Sequence, residues 1–196
     1  MADASDNEEF RVSGEWIDNT NARIELLNST PENRLFEVKE PGVLVGGDIL
    51  LCKEDGDDFD CTMENIKPGV WKVVSLSEEE IVVAWLTEGP LTEDLSSFSE
   101  LSVPEPELRD GAWVQIGGFS VDSGTGGILD HESVLEWEGT QHVGREVAFE
   151  CIADFFLESG PVVPGGIVVR GNDGGYGIHG RQDVDGLVVE IKIKLA

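Results

Sequence analysis

Apolar residues along the chain fall into short runs rich in β-branched and aromatic side chains, separated by glycine, proline or acidic clusters. The last run ends in strict alternation, with Val189, Ile191 and Ile193 on one face and charged residues on the other, which predicts a half-buried strand. The segment WKVVSLSEEEIVVAWL predicts a hairpin whose acidic loop spans Glu78 to Glu80. The runs that predict strands are Leu35 to Val38, Val43 to Val45, Ile49 to Cys52, Trp71 to Leu76, Ile81 to Leu86, Trp113 to Ile116, Ile167 to Val169, Tyr176 to His179 and Leu187 to Ile193.

This spacing of short strands and turns predicts a mainly-β fold: a single-domain antiparallel β-sandwich or open barrel with one or two short helices. Residues 1–10 are polar and acidic, which predicts a disordered tail that adds nothing to stability. The domain would then span residues 11–196. Within it, residues 87–110 are rich in serine, proline and glutamate and predict a surface connection with room for a helical turn.

Two segments depart from the strand pattern. The segment DHESVLEWEG favours a short helix capped by Asp130. In REVAFECIADFFLESG, apolar residues recur at helical spacing at Val147, Cys151 and Phe155, and Gly160 suits the end of a helix. Alternation of Val147, Phe149 and Cys151 keeps a strand as the alternative for this second segment.

Charge changes the picture of function more than any other feature. The 196 residues include 40 acidic and 13 basic side chains, and the resulting net charge of −27 is spread over both halves of the chain. Such a field repels nucleic acid and anionic membranes, so we expect neither as a partner. It favours a basic protein partner or a cation, and it would equally serve solubility or adaptation to a salty cytoplasm.

The sequence also bears on the compartment. No run approaches the roughly 18 apolar residues of a membrane helix, and the acidic N-terminus has no secretory pattern, so we expect a cytoplasmic protein. Cys52, Cys61 and Cys151 have no metal-binding spacing. We interpret them as small buried hydrophobes in a reducing compartment, with a disulfide between Cys52 and Cys61 as the alternative.

The segment VDSGTGGILD holds the candidate chemistry. Its glycines predict that the strand ends in a turn, in which the Asp122 side chain caps backbone N–H groups. We expect Asp173 to cap a second glycine-rich turn in the same way, and Asp130 to cap a helix. A functional interpretation instead gathers Asp122, Asp130 and Asp173 around a hard cation such as Ca²⁺. A third alternative uses paired carboxylates as acid and base on a sugar.

Four motifs in order, GVLVGGD, KPGVW, VDSG followed by an aspartate, and NDGGY, resemble the bacterial family called domain of unknown function 4241. Ile49 stands where that family has proline, and Asn172 stands in place of a glycine. The resemblance spans roughly residues 42–194. It implies a mostly-β fold, leaves the activity open, and gives a hint of an immunity-type role. The matching positions are Asp48, Pro68, Gly69, Trp71, Val121, Asp122, Ser123, Gly124, Asp130, Asp173, Gly174 and Tyr176.

Two functional hypotheses follow. The first is an acidic binding module, an inhibitor or immunity-type protein that covers a basic partner. The alternative is a ligand-binding or cation-binding domain, or a hydrolase-like enzyme, with Ca²⁺ as the one cofactor considered and no catalytic residue assigned. Its candidate ligand-binding residues are Asp122, Ser123, Asp130, Asp173 and Tyr176. Convergent carboxylates in a pocket would favour the alternative, and turns facing solvent would favour the binding module.

Overall fold

The computed structural model of the protein describes residues 18–49, 59–139 and 160–195. The described chain is mainly β, with one antiparallel sheet of six strands and another of five. The strands are β1 (Leu35–Val38), β2 (Leu44–Asp48), β3 (Cys61–Met63), β4 (Gly69–Leu76), β5 (Glu80–Thr87), β6 (Val114–Val121), β7 (Thr125–Asp130), β8 (Val162–Val163), β9 (Gly166–Arg170), β10 (Gly174–Gln182) and β11 (Val188–Lys194). The helices are α1 (18–28), α2 (Ser96–Ser99) and α3 (His131–Gly139), with a 3-10 turn at Pro31–Asn33.

The predicted β-sandwich is confirmed, and within the described residues neither sheet closes into a barrel. The strand at Leu35–Val38 has the predicted bounds, and the predicted hairpin is formed by β4 and β5. Its turn is stabilised by Ser77, whose Oγ accepts hydrogen bonds from the backbone N–H groups of Glu79 and Glu80. The predicted tail at residues 1–10, most of the helix predicted between Val147 and Gly160, and most of the strand predicted from Ile49 lie outside the described residues.

The six-stranded sheet follows the alternating pattern that the sequence predicts. Its strand order is β1-β4-β5-β11-β10-β6. Ile191 and Ile193 of β11 pair with Val83 and Ile81 of β5, and all four side chains are buried in the core between the sheets. The charged residues between them on β11 point away from that core, so one face of this sheet meets solvent.

The five-stranded sheet, of order β3-β2-β7-β9-β8, is buried on both faces. Alternate residues of one strand enter two different cores, since Ile128 of β7 faces the six-stranded sheet and Leu129 packs on the opposite side. Ile24 of α1 and Val134 of α3 contribute to that second core. The described residues therefore form three layers: the six-stranded sheet, the five-stranded sheet, and helices α1 and α3.

The glycines of VDSGTGGILD correct a prediction. Only Gly124, with φ of 83°, lies in the turn, whereas Gly126 and Gly127 belong to β7. A Cβ on Gly126 would lie 2.5 Å from the ring of Phe119, and one on Gly127 would collide with the carbonyl oxygen of Ile167. These two glycines therefore let neighbouring chains approach closely and do not break the strand.

The described residues contain more helices than the sequence predicts. The described chain has three short helices where one or two were expected, because α1 was not predicted. Its buried residues Ile24 and Leu27 are three positions apart, a signal too short to separate from coil. The helical turn expected in the surface connection is present as α2, and the helix expected after Asp130 is present as α3.

Candidate functional site

The turn that opens VDSGTGGILD carries the chain from one sheet to the other, because β6 ends the six-stranded sheet and β7 lies in the five-stranded sheet. The carboxylate of Asp48, at the end of β2, accepts hydrogen bonds from the backbone N–H groups of Asp122 (2.8 Å) and Ser123 (2.7 Å) and from the Ser123 hydroxyl. Asp48 is 8% exposed. The predicted cap at this turn thus exists, but Asp48 provides it, and the Asp122 side chain is exposed.

The second glycine-rich turn lies beside the first. The backbone N–H of Gly171 donates to the carbonyl of Gly124 (3.1 Å), and β10 pairs with β6 from Gly174 onward. Asp173 is exposed, and no hydrogen bond from the described residues reaches its carboxylate, which corrects its predicted capping role. Tyr176 is buried, and its hydroxyl donates to the carbonyl of Asn172 (2.8 Å). We therefore regard Tyr176 as a residue that fixes the turn.

Asp130 lies at the opposite end of β7 and has a structural role. Its fully buried carboxylate accepts hydrogen bonds from the backbone N–H (2.9 Å) and hydroxyl (2.8 Å) of Ser133, which confirms the predicted helix cap. It also accepts a hydrogen bond from the backbone N–H of Lys39 (3.0 Å). Burial raises the pKa of this carboxyl, and the hydrogen bonds from Ser133 and Lys39 oppose the rise.

The three carboxylates predicted to share a cation do not meet. Asp122 and Asp173 lie at the turn end of the sandwich, whereas Asp130 lies at the other end of β7, a strand about 17 Å long at roughly 3.4 Å per residue. Across the described residues, no group of three or more histidine, cysteine, aspartate or glutamate side chains could hold a metal ion. Of the five candidate ligand-binding residues, Asp122, Ser123 and Asp173 remain neighbours on an accessible rim.

Acidic and basic side chains are placed very differently in the described residues. Lys39 pairs with Glu136, Lys67 with Asp183 (3.1 Å) and Arg181 with Glu190 (2.7 Å). Arg23 donates to the backbone carbonyls of Thr92 (2.7 Å) and Glu93 (3.1 Å). These four bases are half-buried, whereas most acidic side chains are exposed. The bases that are exposed in the described part of the chain are Arg109, Arg170 and Lys194.

Exposed carboxylates are dense on residues 88–110, which we call the acidic connection. Leu95 and Phe98 anchor it in the core between the sheets. Near its end, the backbone N–H of Arg109 donates to the carbonyl of Gln182 (3.0 Å). The acidic connection is therefore an ordered surface segment that is held against the domain at Leu95, Phe98 and Arg109. Its exposed acidic residues are Glu88, Glu93, Asp94, Glu100, Glu105, Glu107 and Asp110.

A cleft of about 560 Å³ opens where the acidic connection begins. The segment KPG of the KPGVW motif forms one wall, and two indole groups hold it: Trp71 Nε1 donates to the carbonyl of Lys67 and Trp85 Nε1 to that of Pro68, both at 2.9 Å. The glycine after Pro68 has φ of 124°, which requires glycine. The cleft is lined by Glu37, Val38, Lys39, Glu40, Lys67, Pro68, Gly69, Glu88, Gly89, Pro90 and Leu187.

Sequence reasoning missed both the Asp48 cap and this cleft. Asp48 was noted as part of a motif, but its partners lie 74 and 75 positions further along the chain. The cleft combines four separate segments, and among the motifs only KPGVW marked one of them in advance. Local patterns carry no information on which distant segments will meet.

In the part of the chain that the structure describes, each helix is too short or too polar to span a bilayer.

The resemblance to the domain of unknown function 4241 family stays a prediction. Comparison of the chain with protein-family models, with curated proteins and with solved structures found no match.

Proposed function

We propose that this protein is an acidic binding module that recognises a basic protein partner. One observation carries the proposal: in the described residues, most acidic side chains face solvent, whereas seven of the ten basic side chains are half-buried, and four of those seven hold ion pairs or hydrogen bonds within the protein. The basic side chains therefore do little to screen the negative charge that an approaching protein meets.

We assign the contact to the acidic connection. Its carboxylates lie on backbone that is anchored in the core and hydrogen-bonded to β10, so little ordering entropy would be lost on binding. Long-range attraction to a basic surface would raise the association rate before contact is made. Salt would reduce that gain, because the Debye length falls to about 3 Å at 1 M.

The biological form of this proposal is an inhibitor or immunity-type protein that covers a basic surface on its target. We place it in the cytoplasm. The half-buried thiol of Cys61 is free, and burial raises its pKa, which suits a reducing compartment.

The test compares two variants of equal net charge. One replaces exposed glutamates of the acidic connection by glutamine, and the control replaces exposed glutamates elsewhere. Proteins are captured from native lysate at about 0.05 M salt, and their association rates are measured by stopped flow over a salt series. The first variant carries E93Q, E100Q, E105Q and E107Q, and the control carries E25Q, E64Q, E78Q and E79Q.

The expected partner is basic, and its association rate falls steeply as salt rises. The connection variant should associate about tenfold more slowly than the wild-type protein, whereas the control should change by a much smaller factor. A captured partner that is itself acidic, or one whose association rate does not depend on salt, would rule out recognition by charge.

A further inference from the structure

The cleft at the start of the acidic connection has the composition of a site for one basic side chain. We propose that it receives an arginine side chain of the basic partner. This inference rests on the proposed function, to which it adds a specific contact and the chemistry of the residue that makes it.

The charge of the cleft favours a cation. Glu37, Glu40 and Glu88 line it, and the last two are exposed. Lys39 and Lys67 also line it, but Lys39 pairs with Glu136 and Lys67 with Asp183. The two lysine charges are therefore balanced within the protein, and the three glutamates leave the cleft with a net negative charge.

The walls of the cleft are fixed before any ligand arrives. Two indole hydrogen bonds hold the backbone of Lys67 and Pro68, and the Lys67 ammonium lies 4.4 Å from the centre of the Trp85 ring. On the other side, the Glu37 carboxylate accepts a hydrogen bond from the backbone N–H of Leu91 (3.1 Å), which ties the connection to β1. A preformed cleft loses little conformational entropy on binding.

The apolar lining selects a long basic side chain over a small cation. Val38, Pro68, Pro90 and Leu187 contribute apolar surface on which the methylene groups of the stem can pack. Arginine fits better than lysine because its planar guanidinium presents several donors at once to carboxylates on different walls. A bare metal ion would leave the apolar surface without a contact.

The experiment titrates the full-length, ¹⁵N-labelled protein with the capped peptide Gly-Gly-Arg-Gly-Gly and follows amide and indole NMR signals. We expect saturable shifts centred on Gly69, Gly89 and the Trp85 indole. The E40Q/E88Q variant should bind the peptide about five- to tenfold more weakly, because it neutralises two exposed carboxylates that attract the guanidinium. The charge-matched control is E78Q/E79Q, which alters the hairpin turn at the far end of β4 and β5.

Other probes separate the possible outcomes. Equal weakening in the two variants, or shifts scattered over the acidic surface, would overturn the cleft and leave the proposed function standing. Tighter binding of Gly-Gly-Glu-Gly-Gly at the cleft would show that its lysines dominate and would also overturn the inference. If a deca-arginine peptide and basic proteins both fail to bind the wild-type protein, the proposed function fails as well.

Discussion

The two sheets of this sandwich differ in how many of their faces are buried. The six-stranded sheet hides one face and alternates between apolar and charged residues, whereas the five-stranded sheet is covered by the other sheet on one side and by helices on the other. The open sheet can therefore vary its outer residues, and the covered sheet cannot. The difference shows where sequence patterns are informative and where substitutions should be costly.

The open face also carries much of the positive charge. Lys72, Arg181 and Lys192 lie on outward positions of the six-stranded sheet, and Trp113 packs over Arg181 (5.3 Å to the ring centre) and Lys192 (4.4 Å). The acidic surface that we assign to binding lies mainly on the connection between β5 and β6. The open face therefore carries charges of both signs, because Arg181 pairs there with Glu190.

Glycine-to-alanine substitution should give the largest difference in stability between the two sheets. Gly127→Ala in the covered sheet forces a Cβ against the backbone of β9 and should cost about 3 kcal/mol. Gly175→Ala in the open sheet meets no atom within 4 Å and should leave stability unchanged or raise it by about 0.5 kcal/mol. Urea unfolding of both variants measures the contrast, and equal losses would contradict it.

Truncation of valine tests the two outer faces. Val168→Ala removes two methyl groups from the core under the helices and should cost about 2 kcal/mol, because a cavity forms there. Val74 on the open sheet is 47% exposed, and Val74→Ala should change the free energy of unfolding by less than about 0.5 kcal/mol. A comparable loss from Val74→Ala would mean that this face is covered in solution.

The corner that joins the two sheets consists of the turn between β6 and β7 and the Asp48 carboxylate that caps it. Substitutions there should have the next largest effect on stability. Asp48→Ala leaves the backbone N–H groups of Asp122 and Ser123 without their acceptor and should cost about 2 kcal/mol. Asp122→Ala removes an exposed carboxylate from the same turn and should cost less than about 0.5 kcal/mol. Thermal unfolding of the pair decides which aspartate stabilises the corner, and the reverse ranking would return the capping role to Asp122.

Substitution of Asp130 should have the smallest effect on stability, and the size of that effect should depend on pH. Burial raises the pKa of its carboxyl in the folded protein, so the folded state holds the proton more tightly than the unfolded state does. Stability contributed by the protonated form is present at low pH and is lost as pH rises through the raised value. Relative to Asp130→Asn, the wild-type protein should therefore lose stability across this range.

Urea unfolding of wild type and Asp130→Asn between about pH 3 and pH 7 measures that difference. The asparagine keeps a carbonyl acceptor for Ser133, so the helix cap is retained in part. A constant gap between the two curves would show that Asp130 titrates alike in the folded and unfolded states.

The sequence predicts the open sheet far better than the covered one. Apolar runs and alternation predict all six strands of the open sheet, whereas in the covered sheet they predict only β2 and β9. The Asp130 cap follows from the aspartate that precedes a helical pattern. Strand β7 was mistaken for a turn because its glycines, which resemble breakers, serve close packing on two buried faces. Local periodicity does not report burial that distant segments provide.

The candidate site was predictable only in its parts. The sequence marks Asp122, Ser123 and Asp173 as turn residues, and they do lie together. It cannot show that Asp130 lies a full strand away from them, since β7 was not predicted. The cleft brings together residues near positions 40, 68 and 88, and that meeting depends on the pairing of β1, β4 and β5.

The Asp48 corner has a consequence for the order of folding. Its acceptor and donors are 74 and 75 residues apart, whereas β4 and β5, or β10 and β11, are joined by short turns. Because closing a long loop costs more chain entropy than closing a hairpin, the hairpins should form first and the corner late. In pulse-labelled hydrogen exchange during refolding, the amide protons of Asp122 and Ser123 should become protected after those of β4 and β5.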